Sequence, residues 1–264
     1  MISLYTTAFN LKNFNINFDD AFSNWLCYVD EITIGTLRSE HEQVRDLVVK
    51  SEYYDSEKIG VVSRHLDIYD DIYWDGKLKD AALKNSHHDV ALQVDLDERI
   101  SGDIAGFEFL SDEIVDTDFP CSVMIPYLNL YQDMDHFLDI GYKWYLHTRE
   151  GTNRGPVNFA LKEDGCFDPE KSDTCELIDD EGNIIPAISK IPFGDNQPKI
   201  IHLGFLDLER RANLNKKFWK DIWSKRKSLS QKKEVEATDV LTDASEFKPA
   251  TIKHNLPQPL WPTL

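Results

Sequence analysis

Three carboxylates directly follow a short apolar run in the first half of the sequence. Val90 to Val94 is predicted to form a buried strand, and Asp95, Asp97 and Glu98 come immediately after it. Crowded carboxylates repel one another and resist desolvation unless a positive charge lies between them. The pattern therefore indicates either a strand that emerges into water or the ligands of a divalent cation, which prefers hard oxygen donors.

Several common nucleotide and metal motifs are absent. The sequence contains neither G-x-G-x-x-G nor G-x-x-x-x-G-K-[ST], so the usual dinucleotide and P-loop phosphate sites are excluded. A calcium loop of the EF-hand type would need Asp or Asn at position 99 and Gly at position 100, where Arg99 and Ile100 stand. The cysteines form no C-x-x-C pair, which is typical of reduced thiols in a cytosolic protein. They are Cys27, Cys121, Cys166 and Cys175.

The composition restricts the classes of ligand. The 264 residues carry a formal net charge of −18 and are 41% hydrophobic, which predicts a globular protein with a sizeable core. So acidic a chain is unsuited to general binding of nucleic acid or of anionic membranes. A phosphorylated ligand would need a local cationic pocket or a metal. The start resembles no signal peptide, and no run of about 18 apolar residues occurs, so we expect a cytoplasmic protein.

Strand and helix patterns alternate over the first hundred residues. The predicted strands are Ile2 to Thr6, Glu31 to Ile34, Ile59 to Val62 and Val90 to Val94, and the predicted helices are Phe18 to Val29, about Glu40 to Val49, and Asp75 to Lys84. This alternation predicts an α/β fold with a mainly parallel sheet flanked by helices. Ligands of such sheets bind at the carboxyl ends of the strands, which is where Asp95 and Asp97 lie.

The pattern is less regular after residue 105. We predict strands at Val123 to Leu130, Lys143 to His147 and Lys199 to His202, a hairpin turning at residues 181–183, and a ligand-contacting loop over residues 147–159. Residues 208–227 are amphipathic and basic, and the composition turns polar after them. We therefore expect one domain over residues 1–227, followed by a flexible linker and a Pro-rich tail over residues 228–264.

The segment upstream of the acidic residues carries a more specific pattern. In "DGKLKDAALKNSHHDVALQVDLDE", a helix, a spacer and a strand precede Asp-x-Asp, with Gly76, Lys77, Lys79, Asp80, Leu83, Asp95 and Asp97 at the marked positions. With this pattern the sequence resembles the GT-A-fold glycosyltransferases of the family 2 type, whose helix reads Gly-Lys-x-Arg-Asn-x-x-Leu. "SLYTTAFN" and "YVDEITIG" are similar to that family's first strand with its nucleobase loop and to its second strand. The resemblance covers about residues 1–100.

The resemblance implies a GT-A-like fold and a metal-dependent donor site. Mn²⁺ or Mg²⁺ would bridge the diphosphate of a nucleotide-sugar, with Asp97 as the most direct ligand and Asp95 holding the ribose or a metal-bound water. The implied donor-binding residues are Thr7, Ala8, Phe9, Thr36, Lys77, Lys79 and Asp95. The sequence departs from the family where Thr36 replaces the Asp that usually ends the second strand, and where Lys79 and Asp80 replace Arg and Asn.

A third metal ligand is often a histidine in an apolar-His-x-Gly setting in this family, and "KIIHLGFLD" matches it with His202. His147 is a weaker competitor for this role. The catalytic base, which inverting members need in order to deprotonate the acceptor hydroxyl, stays open among Glu150, Asp164 and Glu176. Cations for the diphosphate are equally open, among Lys77, Lys79, Arg149, Arg154, Arg210 and Arg211.

Taken together, these features lead us to expect a glycosyltransferase with a nucleotide-sugar-binding half over residues 1–100 and an acceptor half over residues 101–227. It would transfer a hexose-like sugar to a carbohydrate or glycoconjugate, with inversion implied by the resemblance alone. The main alternative is a non-catalytic domain of the same fold that binds a sugar nucleotide or a partner. A nucleotidyltransferase is disfavoured, because "TTAFNLKNFN" lacks the Gly-rich basic loop that normally follows the first strand of such enzymes.

Overall fold

The computed structural model describes residues 1–9, 18–69, 71, 74–131, 136–157, 175–205 and 250–251. The elements in chain order are β1 (Ile2–Ala8), α1 (Phe18–Trp25), β2 (Glu31–Leu37), α2 (His41–Val49), β3 (Ile59–Arg64), α3 (Trp74–Lys84), β4 (Val90–Gln93), β5 (Glu98–Ser101), α4 (Ile104–Val115), β6 (Ser122–Tyr131), β7 (His136–Thr148), β8 (Asn153–Val157), β9 (Cys175–Ile178), β10 (Ala187–Lys190), β11 (Lys199–Phe205) and β12 (Ala250–Thr251). The predicted class, a mainly parallel sheet flanked by helices, is confirmed.

The first half of the chain forms the parallel part of the sheet, in the order β3-β2-β1-β4. Leu4 on β1 pairs with Ile32 on β2 and with Leu92 on β4, so these strands run in the same direction. Successive side chains of a strand point to opposite faces, and both faces are apolar here. One face packs against α1 and α4 in the main core, and the other packs against α3. Helices therefore cover both faces, as a parallel sheet requires.

The second half extends the sheet in the order β4-β7-β6-β11-β5. β7 runs antiparallel to β4 and β6, whereas β11 runs parallel to β6. β10 pairs with one end of β6, β12 pairs with β7, and β8 and β9 form a separate two-stranded sheet. β5 is the last strand in this order and lies antiparallel to β11. β5 follows β4 closely in the sequence, but its pairing partner β11 comes about a hundred residues later.

Three local features differ from the sequence-based prediction. β5 and α4 were not predicted; α4 begins after Asp103, whose carboxylate accepts a hydrogen bond from the backbone N–H of Ala105 at 3.2 Å, as an N-cap does. Residues 147–159 are not a single loop, because β7 continues to Thr148 and β8 begins at Asn153 after a short turn. The predicted hairpin does turn at residues 181–183, with Ile178 bridged to Ile184 across it.

Some predicted segments lie outside the described residues. These include the basic segment 208–227, the polar linker, and all of the tail except Ala250 and Thr251 in β12. Among the helices that the structure describes, none is long and apolar enough to cross a membrane. Cys121 is buried, as expected, but Cys27 is exposed.

Gly35 allows α3 to lie close to β2. A Cβ atom at this position would lie 2.5 Å from the carbonyl oxygen of Leu78 and 3.2 Å from its carbonyl carbon. These are backbone atoms of α3, so they cannot move aside unless the helix shifts. Gly35 therefore determines how deeply α3, and with it Lys79, approaches the sheet.

We expect Gly35→Ala to lower the free energy of unfolding by about 2 kcal/mol, because overpacking a well-packed site typically costs about 1–3 kcal/mol. Gly60→Ala on β3 is the matched control, since no atom lies within 4 Å of a Cβ atom built there. Urea unfolding of both variants measures the difference. Equal stabilities would contradict the close approach of α3 to β2.

Candidate functional site

The three carboxylates of the opening motif have different orientations. The chain turns between Asp95 and Glu98, and the Glu98 N–H donates to the carbonyl oxygen of Asp95 at 2.9 Å. The side chains of Asp95 and Asp97 are 35% and 47% exposed, whereas Glu98 is only 2% exposed. Two carboxylates therefore face outward at the carboxyl end of β4, and the third points into the protein.

Asp95 is held by two donors from the α3 side of the sheet. Its Oδ1 accepts a hydrogen bond from Gln93 Nε2 at 2.8 Å and lies 3.2 Å from the ammonium group of Lys79. Lys79 also lies 3.4 Å from Asp75, one turn earlier on α3. Burial raises the pKa of the Asp95 carboxyl, but the charges of Lys79 and Lys143 outweigh this, so its pKa is lower than usual. Asp95 is thus an ionised carboxylate with one oxygen already engaged.

Glu98 and Lys143 form the inner layer of the site. The Glu98 carboxylate accepts hydrogen bonds from the Asp95 N–H at 2.9 Å and from the Tyr145 hydroxyl at 3.0 Å. Burial and the charge of Asp95 raise the pKa of Glu98. Burial lowers the pKa of Lys143, but Glu98 and Asp95 more than offset this, so the pKa of Lys143 is raised and its charge persists. The Lys143 ammonium lies 4.7 Å from the ring centre of Tyr127.

These inner residues were missed by the sequence analysis. Glu98 was noted as a carboxylate but given no role, and Gln93 and Lys143 were not assigned to the site. The one available signal is Lys143, a charge in the middle of the strand-like run "GYKWYLH". A charge within a half-buried strand usually needs a partner of opposite sign, and here the partners lie about 45 residues earlier in the chain.

The structure places His202 beside Asp97. β11 pairs with β5 so that His202 lies opposite Glu98, and the Leu203 N–H donates to the carbonyl oxygen of Asp97 at 2.8 Å. His202 Nε2 is 3.2 Å from Asp97 Oδ2, and Nδ1 is 2.5 Å from Oδ1 of Asn129 on β6. The Asn129 amide nitrogen donates to the Tyr127 hydroxyl, so its oxygen faces His202 and Nδ1 carries the proton.

This tautomer has a consequence for the contact with Asp97. When Nδ1 carries the only proton, Nε2 presents a lone pair to a carboxylate oxygen, and two acceptors at 3.2 Å repel each other. The contact is favourable if Nε2 is protonated or if a cation lies between the two atoms. The donor set at this position, an imidazole nitrogen and carboxylate oxygens, therefore fits a transition-metal ion such as Mn²⁺. In the described ranges, however, no group of three or more His, Cys, Asp or Glu residues is arranged to hold a metal.

His147, the competing histidine, lies in the core. It is fully buried on β7, its Nδ1 donates to the carbonyl oxygen of Thr148 at 2.8 Å, and the Tyr5 hydroxyl donates to its Nε2 at 2.9 Å. Arg154 Nε donates in turn to the Tyr5 oxygen at 2.5 Å. Burial and the charge of Arg154 lower the pKa of His147 to about 3. His147 is therefore a neutral core residue rather than part of the carboxylate cluster.

The predicted donor-binding residues lie at the carboxyl ends of β1 and β2 and in the first half of α3. Thr7, Ala8 and Thr36 are buried at the ends of their strands. Phe9 meets the ring of Trp74 edge-on, with centroids 4.5 Å apart. The Thr36 hydroxyl is buried and has no hydrogen-bond partner in the described part of the chain. Lys77 points to Asp71, 2.6 Å away, whereas Lys79 reaches Asp95.

Two of the three candidate catalytic bases lie in the described part of the chain. Glu150 lies at the opposite edge of the sheet, because its neighbour Arg149 bonds to the carbonyl oxygens of His88 and Asp89, just before β4 begins. Glu176 lies on β9 in the separate two-stranded sheet. Asp164, Arg210 and Arg211 fall outside the described residues. Antiparallel pairing explains the position of Glu150: β7 runs back along β4, so its end is far from the end of β4.

No protein family and no curated protein matches the sequence. Among solved structures, the chain is similar to S. aureus TarS 1–349 in complex with UDP, with 15% identity over 49% of this chain and 35% of that chain and a TM-score of 0.32. It is similar to HddC from Yersinia pseudotuberculosis, with 13% identity over 83% and 100% and a TM-score of 0.43. It also resembles the inositol-1-phosphate CTP transferase from T. maritima, with 10% identity over 86% and 96% and a TM-score of 0.37. Likenesses at this level say nothing about activity.

Proposed function

We propose that the protein is a metal-dependent glycosyltransferase that uses a nucleotide-diphosphate sugar and a carbohydrate or glycoconjugate acceptor. The observation that carries the proposal is the pair of outward-facing carboxylates at the end of β4, with His202 of β11 3.2 Å from Asp97. The helix and strand pattern that leads into this pair resembles the family 2 glycosyltransferases. A strongly acidic protein needs such a local site to hold an anionic donor.

The residues of the site suit a diphosphate bound through a metal. Asp97 and His202 would hold Mn²⁺ or Mg²⁺ directly and Asp95 would hold a metal-bound water, with water and phosphate oxygens completing the coordination. The bound cation would act as a Lewis acid on the departing nucleoside diphosphate. Lys79 and Lys143 add fixed positive charge next to Asp95, so the site is less acidic than the motif alone implies. Their charge would favour binding of the donor phosphates.

The other end of the carboxyl edge suits the nucleoside. Phe9 and the partly buried side chains around Trp74 form an apolar cluster there, and the buried Thr36 hydroxyl lies on the neighbouring strand. A hydroxyl can both donate and accept a hydrogen bond, unlike the carboxylate that the family usually has at this position. The base preference of this protein therefore need not follow that of the family.

The rival proposal is a non-catalytic domain that binds a sugar nucleotide without turnover. The position of Glu150 at the opposite edge of the sheet favours it, because Glu150 was a candidate for the base. A screen of nucleotide-sugars with Mn²⁺ or Mg²⁺ separates the two functions, when nucleoside diphosphate release and thermal shift are scored together. Release supports the transferase, and a thermal shift without release supports the binding domain. If neither release nor a shift is observed, both functions are refuted.

We expect His202→Ala to weaken Mn²⁺ binding about tenfold and to leave Mg²⁺ binding nearly unchanged, because imidazole is a poorer ligand for Mg²⁺ than for Mn²⁺. Titration of Mn²⁺ and Mg²⁺ into the wild type and the variant measures both affinities. His41→Ala is the control, since His41 lies on α2 and its side chain pairs with that of its neighbour Glu42. Equal Mn²⁺ affinities of wild type and His202→Ala would exclude His202 as a ligand.

A further inference from the structure

We propose that Glu98 is a positioning residue that keeps the turn from Asp95 to Glu98 in the shape that presents Asp95 and Asp97 to a ligand. It would not itself contact the metal or the donor. The expected effect on ligand binding rests on the proposed function, whereas the hydrogen bonding of the turn can be tested in the protein without a ligand. It gives the third carboxylate of the motif a role distinct from that of the first two.

The hydrogen bonds of the turn support this role. The Glu98 N–H donates to the Asp95 carbonyl, and the Asp95 N–H donates back to the Glu98 carboxylate, both at 2.9 Å. These reciprocal bonds resemble a capping box and close the four residues into one unit. Asp95 lies beyond the end of β4, and the Glu98 side chain satisfies its backbone donor there.

The second carboxylate oxygen of Glu98 is fixed from the sheet. Oε1 accepts the hydrogen bond of the Tyr145 hydroxyl, and Tyr145 is fully buried on β7. The charge of Lys143, two residues earlier on the same strand, compensates the buried carboxylate. Trp25 donates from Nε1 to the Glu98 carbonyl at 3.1 Å. Both oxygens and the backbone of Glu98 are thus committed to structure, whereas the side chains of Asp95 and Asp97 are 35% and 47% exposed.

The turn is also connected to the strand that carries His202. The Asp97 carbonyl accepts from Leu203 of β11, so a shift of the turn would move Asp97 relative to His202. Since bonds to a metal are about 2 Å long, a displacement of about 1 Å is enough to break a shared site. Glu98 therefore controls the geometry of the candidate metal ligands through the backbone. Its side chain contacts the backbone N–H of Asp95 and acts on the ligand side chains only through the turn.

The chain offers a closely matched control in Glu31. Its buried carboxylate also accepts hydrogen bonds from one hydroxyl, that of Ser3, and from one backbone N–H, that of His87, whose ring Nδ1 lies 2.7 Å from the other oxygen. It lies at the start of β2, at the edge of the sheet opposite Asp97. Glu98→Gln and Glu31→Gln therefore remove the same charge from similar surroundings, and only the first should affect the site.

The experiment measures amide hydrogen exchange and Mn²⁺ binding in both variants and in wild type. In Glu98→Gln we expect exchange at the Asp95 and Leu203 amides to rise about tenfold relative to other strand amides, and the affinity for Mn²⁺ alone, followed by the EPR signal of the free ion, to fall about tenfold. In Tyr145→Phe the exchange at the same two amides should rise about threefold and the Mn²⁺ affinity should fall about threefold. This variant serves as the test if Glu98→Gln does not fold. Glu31→Gln should change neither quantity at these positions.

Unchanged exchange at Asp95 and Leu203 in both Glu98→Gln and Tyr145→Phe would overturn the inference. Faster exchange with unchanged Mn²⁺ affinity would overturn it as well, because the turn would then not position the ligands. If the wild type binds no Mn²⁺, the metal-dependent function fails, and the exchange data alone then decide whether Glu98 holds the turn. The two failures are therefore distinguishable.

Discussion

Replacing Asp97 by Asn should reduce sugar transfer by about a thousandfold or more and remove the stabilisation that nucleoside diphosphates give in the presence of Mn²⁺. The change deletes one charged oxygen ligand at the position where negative charge would develop on the leaving diphosphate, and a Lewis acid there is worth several kcal/mol. The fold should persist, because the backbone of Asp97 stays bound to Leu203 and its side chain is 47% exposed. Asp95→Asn should have a similar or milder effect.

The measurement for Asp97→Asn is turnover with the best donor of the screen, together with thermal shift with and without Mn²⁺. Asp112→Asn on the exposed side of α4 is the control, because it removes the same charge at a distance from the carboxyl edge of β4. Its turnover should equal that of the wild type. Turnover of Asp97→Asn at the wild-type level would refute the assignment of Asp97 as the principal metal ligand.

The second large effect concerns stability in mild acid. His147 is buried and neutral in the folded protein, with a pKa lowered to about 3 from the usual 6.5. As the pH falls below 6.5, the unfolded chain binds a proton at this histidine and the folded protein does not, so stability decreases until the pH reaches the folded pKa. We expect this residue alone to account for a loss of about 2 kcal/mol between pH 7 and pH 5.

Urea unfolding at pH 7 and pH 5 measures this loss as the difference between two free energies of unfolding. In His147→Gln the difference should shrink by about 2 kcal/mol, whatever the variant's stability at pH 7, because glutamine does not titrate. His65→Gln is the control, since His65 is exposed at the end of β3. If His147→Gln keeps the full pH dependence of the wild type, the buried histidine is not its source.

The regular part of the fold was predictable from local patterns. Apolar runs and helical spacing located β1 to β4 and α1 to α3, with ends that coincide with the observed ones or differ from them by at most four residues. Four apolar side chains of α3, those of Leu78, Ala81, Ala82 and Leu83, are all buried. β5 was not predicted because its four residues include Glu98 and Arg99, whose burial depends on distant partners: Tyr145 for the first and Asp20 for the second.

The outer part of the candidate site was also predictable, whereas its inner part was not. Asp95 and Asp97 were identified because a strand pattern ends directly before them, and His202 because its setting in "KIIHLGFLD" resembles that of a metal-binding histidine in the family 2 glycosyltransferases. The role of Glu98 could not be predicted from the sequence, because a carboxylate at this position would equally suit a third metal ligand. Only the contacts with the Asp95 N–H and Tyr145 distinguish it. For the same reason Glu150 was a reasonable candidate until the direction of β7 was known.

Residue types and short-range spacing were sufficient to predict the strand and helix alternation and the acidic motif at the end of β4, because both are properties of neighbouring residues. Which charges meet depends on the tertiary structure. The pairing of β11 with β5 brings His202 to Asp97 across 105 residues, and the antiparallel course of β7 places Lys143 near Asp95 while carrying Glu150 away. Strand order and direction are set by packing of the whole sheet, and neighbouring residues in the sequence do not encode them.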